Sequence, residues 1–221
     1  MSAQSIHELY ESWAPLYPAE PHNPLMAAEQ AAMVERFPAV AGCAALDLAC
    51  GSGRYARLLA AGGANQVVAL DFSAAMLRKV SLGSAVRGDL NSLPLRDASF
   101  DVVVSGLALG HASELRTCMT EIARVLKAGG TLLYSDFHPH AQQRGQVRSF
   151  RDSSGALRVL PFGGHSREAH VAALAAAQLD IHAIFEPRAG LEFRESFRDS
   201  ERFYREWHGV PMLLIVLARK R

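Results

Sequence analysis

Between Ala44 and Ser135 the chain repeats one unit, a short run of consecutive apolar residues followed by a helical segment. No other feature limits its fold as much. Ala45–Ala49 reads as a strand and Gly53–Ala61 as a helix stopped by Gly62-Gly63. Gln66–Leu70 is a second strand, after which Ser73 can cap the helix AAMLRKV. Ala85–Arg87, Phe100–Ser105 and Thr131–Ser135 supply three more strands. The segment 114–127 places Leu115, Cys118, Met119, Ile122, Val125 and Leu126 on one helical face, and Gly129-Gly130 is expected to stop it. Strands that are apolar throughout, instead of alternating, are buried on both faces. The sheet is therefore parallel, with helices on both sides.

Outside this stretch the pattern loosens. Residues 5 to about 37 read as mostly helical, broken by WAPLYPAEPHNPL, which must be extended or turned. Gln142–Ala156 is polar and Arg-rich without a period, and is read as a loop or flap. Ser166 can cap a helix over 167–178, Asp180–Phe185 is a sixth strand, and a charged, aromatic-rich stretch (192–208) leads to a seventh at Pro211–Ala218. With no complete helical crossover between them, the last two strands suit an antiparallel pair at the sheet edge. The expected fold is α/β, a Rossmann-like, seven-stranded, mostly parallel sheet with an antiparallel last strand. A length of 221 residues suits one domain. It divides into an N-terminal helical lid (1–40), a cofactor-binding core (44–140), and a substrate-side flap with the C-terminal edge strands (141–221).

Charge and cysteine usage narrow the class. The formal net charge is +1 with no block of Lys or Arg, so the basic stripe of a nucleic-acid surface is missing. Cys43, Cys50 and Cys118 form no CxxC pair and are read as free thiols in a reducing compartment. MSAQSIHELY lacks a basic region followed by an apolar stretch, and Met212–Ala218 is too short to cross a bilayer. The expectation is a soluble, cytoplasmic protein whose partner is a small molecule, not nucleic acid or membrane, with its oligomeric state left open.

The segment LDLACGSGRY (46–55) runs from a strand straight into a glycine turn. By itself Gly51-x-Gly53-x-x-Ala56 fits the dinucleotide fingerprint, which keeps an NAD- or FAD-dependent oxidoreductase open. In open α/β sheets ligands bind beyond the carboxyl ends of the strands, and here those ends carry Asp47, Asp71 and Asp89. Asp71 can accept hydrogen bonds from ribose hydroxyls of either cofactor class. Asp47, close to the turn, repels a pyrophosphate but favours the ammonium and sulfonium of S-adenosylmethionine. Asp89 is placed to accept from an adenine amino group.

LDLACGSGRY, VVALDFSAAML, VRGDLNSLPLRDASFDVVVSGLALGH and RVLKAGGTLLYSDFHP resemble successive motifs of the class I S-adenosylmethionine-dependent methyltransferases. The likeness is greatest to the small-molecule branch that includes quinone-biosynthesis and malonyl-carrier-protein methyltransferases. It covers residues 44–140 and extends more weakly to the C-terminal strands. Where that family has D/E-x-G-x-G-x-G, Ala49 replaces the first glycine. This is the smallest replacement, and cofactor binding is expected to survive it. The resemblance implies that Gly51 and Gly53 let the backbone pass under the methionine moiety, with Asp47 near its amino group and Ala49 counted with the cofactor-binding set. It implies that Asp71 holds the ribose diol, that Phe72 and Met76 lie beside the adenosine, and that Asp89 and the Leu90 amide face the adenine. Ser105 and Gly106 border the methionine end. Tyr10, Trp13 and Tyr17 recur on one helical face. They are core contacts, a cover over the cofactor, or both, and Trp13 and Tyr17 are counted with the cofactor-binding set.

Methyl transfer from a sulfonium is an in-line displacement, catalysed largely by positioning in a dry pocket. A hydroxyl or amine acceptor also calls for a base. His111, after strand four, is the leading candidate, its other reading being a polar residue on a partly buried loop. His138 and His140 flank Pro139 without a matching third ligand, so no metal is expected. His165 lines the pocket from its far side or caps a turn. Arg144, Arg148, Arg151 and Arg158 belong to a solvated flap or bind a carboxylate or phosphate of the substrate. No N/D-P-P-Y follows strand four, which argues against methylation of DNA bases. The expected activity is methyl transfer to a small organic acceptor, at oxygen first and then nitrogen or carbon, releasing S-adenosylhomocysteine. The alternatives are the oxidoreductase and a non-catalytic cofactor-binding protein.

Overall fold

In the computed structural model, residues 5–82, 84–161, 164–191 and 200–221 are described. The apolar runs become β1 (Ala44–Leu48), β2 (Gln66–Asp71), β3 (Ser84–Arg87), β4 (Phe100–Gly106) and β5 (Leu126–Phe137). A hairpin of β6 (Arg148–Arg151) and β7 (Leu157–Leu160) follows, then β8 (Leu179–Phe185) and β9 (Leu213–Lys220). Seven strands form one sheet in the order β3-β2-β1-β4-β5-β9-β8. The pairs from β3 to β5 are parallel, and β9 runs antiparallel to both of its neighbours. This is the expected mostly parallel sheet with a reversed last strand, although β9 is inserted between β5 and β8 and so does not form the edge.

Alternation along each strand sorts the core into two layers. Leu46, Leu48, Val68, Leu70, Val103 and Leu132 pack toward α5 (Leu115–Val125) and α7 (Arg167–Ala176). On the other face Ala45, Val67, Ala69, Val102, Val104 and Leu133 meet Met33 of α2 (Pro24–Val34) and Ala56 and Leu59 of α3 (Arg54–Ala61). Fully burying each of the larger aliphatic side chains contributes about 2 kcal/mol, so the central strands are the most secure part of the molecule. The sheet therefore offers a rigid carboxyl edge on which loops can carry chemistry.

The caps fall where the sequence placed them. Ser73 Oγ accepts from the Met76 amide at 3.1 Å, and Ser166 Oγ from the Ala169 amide at 3.1 Å. The helix begun at Ser73, α4 (Ala74–Leu77), is three residues shorter than expected. The C-terminal end of α5 also differs: it closes at Val125, before the two glycines, and Leu126 already pairs with Phe100. Long-range bonds hold the extended segment, from Lys127 Nζ to the Asp101 carboxylate at 2.8 Å and from Arg219 Nε to the Gly129 carbonyl at 2.7 Å. The stretch read as an irregular flap contains α6 (Pro139–Gln143) and the β6–β7 hairpin. Among the described residues no helix is long and apolar enough to cross a membrane.

The N-terminal segment folds over the carboxyl edge of the sheet. Ser5 and Glu8 form a reciprocal capping box that starts α1 (Ile6–Trp13). Pro15 lies in the 3-10 turn that follows, and Asn23 with Pro24 starts α2. Leu9, Tyr10, Trp13 and Ala14 are buried against Met76 on one side and against Phe150 and Leu160 of the hairpin on the other.

Ala49 lies one residue beyond β1, in the turn and not in the strand, with φ +54°. An L-residue held there costs roughly 1–2 kcal/mol, whereas glycine loses roughly 0.5–1 kcal/mol more chain entropy on folding. Ala49→Gly is therefore expected to stabilise the fold by up to about 1 kcal/mol, read as a higher urea midpoint at unchanged slope.

Candidate functional site

β1 and β2 end side by side, and their connections are tied together through backbone and carboxylate bonds. The Cys50 amide donates to the Leu70 carbonyl at 2.9 Å. Asp71 accepts from the Gly51 amide at 2.8 Å with one oxygen and from the Ser73 amide at 2.9 Å with the other. The acid at the end of β2 thus shapes the glycine turn after β1. Gly51 has φ +54°, and a Cβ added there would meet the Tyr17 ring at 3.9 Å, so an aromatic side chain covers the turn.

Asp47 points from β1 beneath the same turn. Its Oδ2 accepts from the Ala56 amide at 2.7 Å, in the first turn of α3, where amides lack helical partners. Its Oδ1 is buried without a hydrogen-bond partner. Burial pushes Asp47 up to about 7 and also raises Asp71 above the ordinary carboxylate range. These are acids kept out of water without a neighbouring cation to balance them fully, an arrangement that favours a cationic ligand.

Two adjoining clefts open above the turn. The first has Tyr10, Tyr17, Asp47, Gly51 and Arg148 among its walls and spans about 680 Å³ together with its open mouth. The second, of about 450 Å³, is bounded by Ile6, Gly88, Asp89 and Asn91. Ala49, Asp71, Phe72, Leu90 and His111 line both. A ligand spanning the two meets Asp47 at one end, Asp71 and Phe72 in the middle, and Asp89 at the other. Asp89 is exposed, and its Oδ1 accepts from the Asn91 amide at 2.7 Å. The orphaned oxygen of Asp47 and this order of acids fit S-adenosylmethionine, with its ammonium, ribose and adenine in sequence.

The remaining sequence-derived residues stand behind the walls. Trp13 stacks on Phe150 at 4.6 Å and meets Tyr17 edge-on at 4.7 Å. Gly53 opens α3 at φ +79°, and Met76 is fully buried beneath α1. Ser105 Oγ donates to the Leu48 carbonyl at 2.9 Å, bracing β4 against β1.

His111 lies in a 3-10 turn (Leu109–His111) where both clefts meet. Its Nδ1 is 3.2 Å from the Pro161 carbonyl, which can only accept, so the ring proton sits on Nδ1. Nε2 faces the Tyr10 hydroxyl at 3.0 Å and Arg148 Nη1 at 3.3 Å. Burial, followed by the Arg148 charge, pushes the imidazole down to about 3, so it is neutral at physiological pH.

Of the four flap arginines, Arg148 alone turns inward. Its Nη1 donates to the Leu107 carbonyl at 3.1 Å, and its guanidinium lies 5.5–5.7 Å from the ring centres of Tyr10, Trp13 and Phe137. Arg151 and Arg158 hold the hairpin turn through the Gly155 carbonyl and the Asp152 carboxylate, and Arg144 lies over Trp207. His138 Nδ1 accepts from the His140 amide at 3.1 Å and so starts α6. His165 Nε2 donates to the Ala112 carbonyl at 3.0 Å. Among the described residues no three His, Cys, Asp or Glu side chains are grouped to hold a metal. Of the aromatic stretch 192–208, residues 192–199, Phe193 included, lie outside the described residues; α8 (Ser200–Trp207) is its described part.

Sequence reasoning missed Glu29. Fully buried on α2, it pairs with Arg54 at 2.7 Å, accepts from the Tyr55 hydroxyl at 2.7 Å, and accepts from the Ser135 hydroxyl. Gly106 makes room for this cluster, since a Cβ there would lie 2.3 Å from the Tyr55 ring. The available signal was one acid inside the small and apolar run PLMAAEQAAMV.

The chain is similar to known methyltransferases. A family model described as a methyltransferase domain matches residues 46–134. A malonyl-[acyl-carrier protein] O-methyltransferase of Coxiella burnetii is 34% identical over 148 residues, 67% of this chain and 45% of the relative. A demethylmenaquinone methyltransferase of Renibacterium salmoninarum is 38% identical over 112 residues, 48% of this chain and 47% of the relative. The chain thus spans about half the length of the curated relatives it matches. An S-adenosylmethionine-dependent methyltransferase structure from Mesorhizobium loti superposes with a TM-score of 0.71 at 24% identity, covering 87% of this chain and 98% of that one, a likeness of fold.

Proposed function

We propose that the chain, whose residues 46–134 match a methyltransferase-domain family model, is a class I S-adenosylmethionine-dependent methyltransferase that transfers a methyl group to a small organic acceptor, at oxygen. The observation that carries this reading is the buried, unpartnered Oδ1 of Asp47 beneath the glycine turn. When bound, the cofactor supplies a methyl group on a sulfonium, whose departure leaves a neutral thioether. Asp47 would hold the ammonium, Asp71 the ribose, and Asp89 with the Leu90 amide the adenine. Gly51 gives access to the backbone. The Coxiella burnetii relative, named as an O-methyltransferase, supports oxygen as the first choice.

In this reading the 1–40 segment is a lid, with α1 and the hairpin excluding water from the clefts. His111, expected from the sequence as a base, is read instead as a positioning group. A ring whose conjugate acid lies near 3 is a poor match for deprotonating an alcohol near pH 7, but its Nε2 fixes Tyr10 and Arg148 where the clefts meet.

Titration with S-adenosylhomocysteine and with NADH between pH 6 and 8 tests the proposal. Asp47 binds an ammonium only when ionised, and in the free protein it titrates at about 7. Affinity for S-adenosylhomocysteine should therefore rise about tenfold from pH 6 to 8. Asp47→Asn should flatten that profile. The linkage for stability has the opposite sign, because the folded pKa lies above the unfolded one. The ligand-free protein should lose stability as pH rises from about 4 to 7. Binding of NADH without S-adenosylhomocysteine would establish the oxidoreductase instead. Cofactor affinity without turnover of any acceptor would point to a non-catalytic binder.

A further inference from the structure

We propose that Asp136 is a positioning residue of the cofactor site, acting through Arg148, and that a proton shared with His170 sets its charge. The ligand half of the proposal rests on the methyltransferase reading and adds to it a buried device behind the cleft wall.

Tyr134 and Asp136 stand two residues apart near the end of β5, so both side chains point to the face where α7 carries His170. Asp136 and His170 are each 1% exposed. Asp136 Oδ1 accepts from the Phe137 amide at 2.9 Å. The Gly110 amide, in the 3-10 turn that carries His111, also faces the carboxylate and favours its ionised form. Oδ2 has no hydrogen-bond partner among the described residues and lies 3.8 Å from His170 Nε2. On the far side of the imidazole, Nδ1 is 3.0 Å from the Tyr134 hydroxyl. The other groups that face this pair are His165, edge-on to His170 at 5.9 Å, Cys118 of α5, Tyr10 of α1 and Arg148 of the hairpin. Arg148 is the cation among them, and Asp136 is a carboxylate whose charge reaches it.

Two hydrogen-bond arrangements connect this row, and they differ by one proton. With Asp136 neutral, its hydroxyl donates to Nε2 and the Nδ1–H donates to the Tyr134 oxygen. With Asp136 ionised, the Nε2–H donates to the carboxylate and the Tyr134 hydroxyl donates to Nδ1. Either one closes the 3.8 Å gap by about 1 Å. Burial pushes Asp136 up to about 7 and His170 down to about 4. The acid therefore changes charge near neutrality, while the imidazole stays neutral and exchanges tautomers. The consequence reaches the first cleft because Arg148 lines it. Ionised Asp136 offsets the guanidinium charge, whereas neutral Asp136 leaves that charge to oppose the sulfonium of S-adenosylmethionine. S-adenosylhomocysteine has no sulfonium and does not distinguish the two states.

Nitrogen-15 histidine spectra of the ligand-free protein, assigned with His170→Gln, test the shared proton, and calorimetry tests the ligand. In the parent, His170 should pass from the Nδ1–H to the Nε2–H tautomer between about pH 6 and 8. Asp136→Asn, whose amide donates to Nε2 as the neutral acid does, should hold the Nδ1–H tautomer throughout. Arg148→Met should move the tautomer midpoint upward, since it removes the cation that favours the carboxylate. The ratio of S-adenosylmethionine to S-adenosylhomocysteine affinity in Asp136→Asn should match the parent at about pH 6 and fall at least about threefold below it at about pH 8. Asp47 and Asp71 are present in both proteins and drop out of that comparison. A single His170 tautomer across the range overturns the proposal, as does a midpoint unmoved by Arg148→Met. An Asp136→Asn ratio equal to the parent's at the higher pH also overturns it. Should Asp136→Asn fail to fold, the spectra of the parent and of Arg148→Met still decide. A parent that binds neither ligand defeats the methyltransferase reading and the ligand half with it, while the spectra independently decide the shared proton.

Discussion

Asp71→Ala is expected to cost about 3 kcal/mol of folding stability and to lower S-adenosylhomocysteine affinity about 100-fold. Both oxygens of Asp71 accept backbone amides, one from the turn after β1 and one from the start of α4. Truncation leaves the Ser73 amide unsatisfied in a buried place and the Gly51 amide in a partly buried one, the first with a desolvation cost of about 1–3 kcal/mol and the second with less. The ionised carboxylate is not itself a net source of stability, because burial raises its pKa above the unfolded value. The loss must come from the orphaned donors. The binding defect has two parts, the missing ribose acceptor and a glycine turn no longer held in shape. Asp71→Asn separates them, because its one carbonyl oxygen can keep one amide bonded while the charge is lost. Urea unfolding and calorimetry on the two variants give the comparison. A stable alanine variant with unchanged S-adenosylhomocysteine affinity would remove Asp71 from the site.

What could be read from the sequence follows from where local and tertiary forces agree. Continuous apolar runs such as QVVAL and FDVVVS can be satisfied only inside a covered parallel sheet, and they lie there. Serine caps were legible at Ser73 and Ser166 because the capping bond is local. The acids of the site were legible because strand ends place them at one edge regardless of loop detail. Tertiary bonds overrode local preference at residues 126–130, where the pairing of Leu126 with Phe100 of β4 and the side-chain bonds from Arg219 to the Gly129 carbonyl and from Lys220 to the Leu126 carbonyl captured a segment rich in helix formers and glycine. The hairpin was missed although its turn carries a recognisable device. Asp152 accepts from the Ser154 and Ala156 amides, and Gly155 takes φ +83°. Its strands are short and Arg-rich, so they lacked the hydrophobic signature of the sheet. Arg148 could be counted among four arginines, but only the hairpin's register with Leu160 turns it toward the clefts while its neighbours face the turn. His111 was legible in position and not in protonation, since its environment comes from Tyr10, 101 residues earlier, and from Pro161 and Arg148 beyond it.

Glu29 tests whether the lid side of the site is held by a buried charge cluster. Glu29→Ala should destabilise the protein by about 3–5 kcal/mol, the usual cost of removing one partner of a buried ion pair. Arg54 would keep its charge beside the Gln30 amide oxygen at 3.2 Å and over the Tyr55 ring but without its carboxylate partner, and the Tyr55 and Ser135 hydroxyls would lose their shared acceptor. The effect should also reach the ligand. Arg54 lines the first cleft and already acts electrostatically on Asp47. Released from Glu29, it becomes a competitor for the carboxylate that should hold the cofactor's ammonium, so S-adenosylhomocysteine should bind more weakly and with less dependence on pH. Removing the second charge as well gives the decisive comparison. Glu29→Leu with Arg54→Met replaces a buried pair by apolar side chains of similar bulk, a change that is often neutral or stabilising. The double variant should recover most of the stability lost by Glu29→Ala, with a coupling energy of at least about 1 kcal/mol in the corresponding mutant cycle. Additive losses would mean that Glu29 acts through Tyr55 and Ser135 alone, and that Arg54 stands in the cleft wall independently of α2.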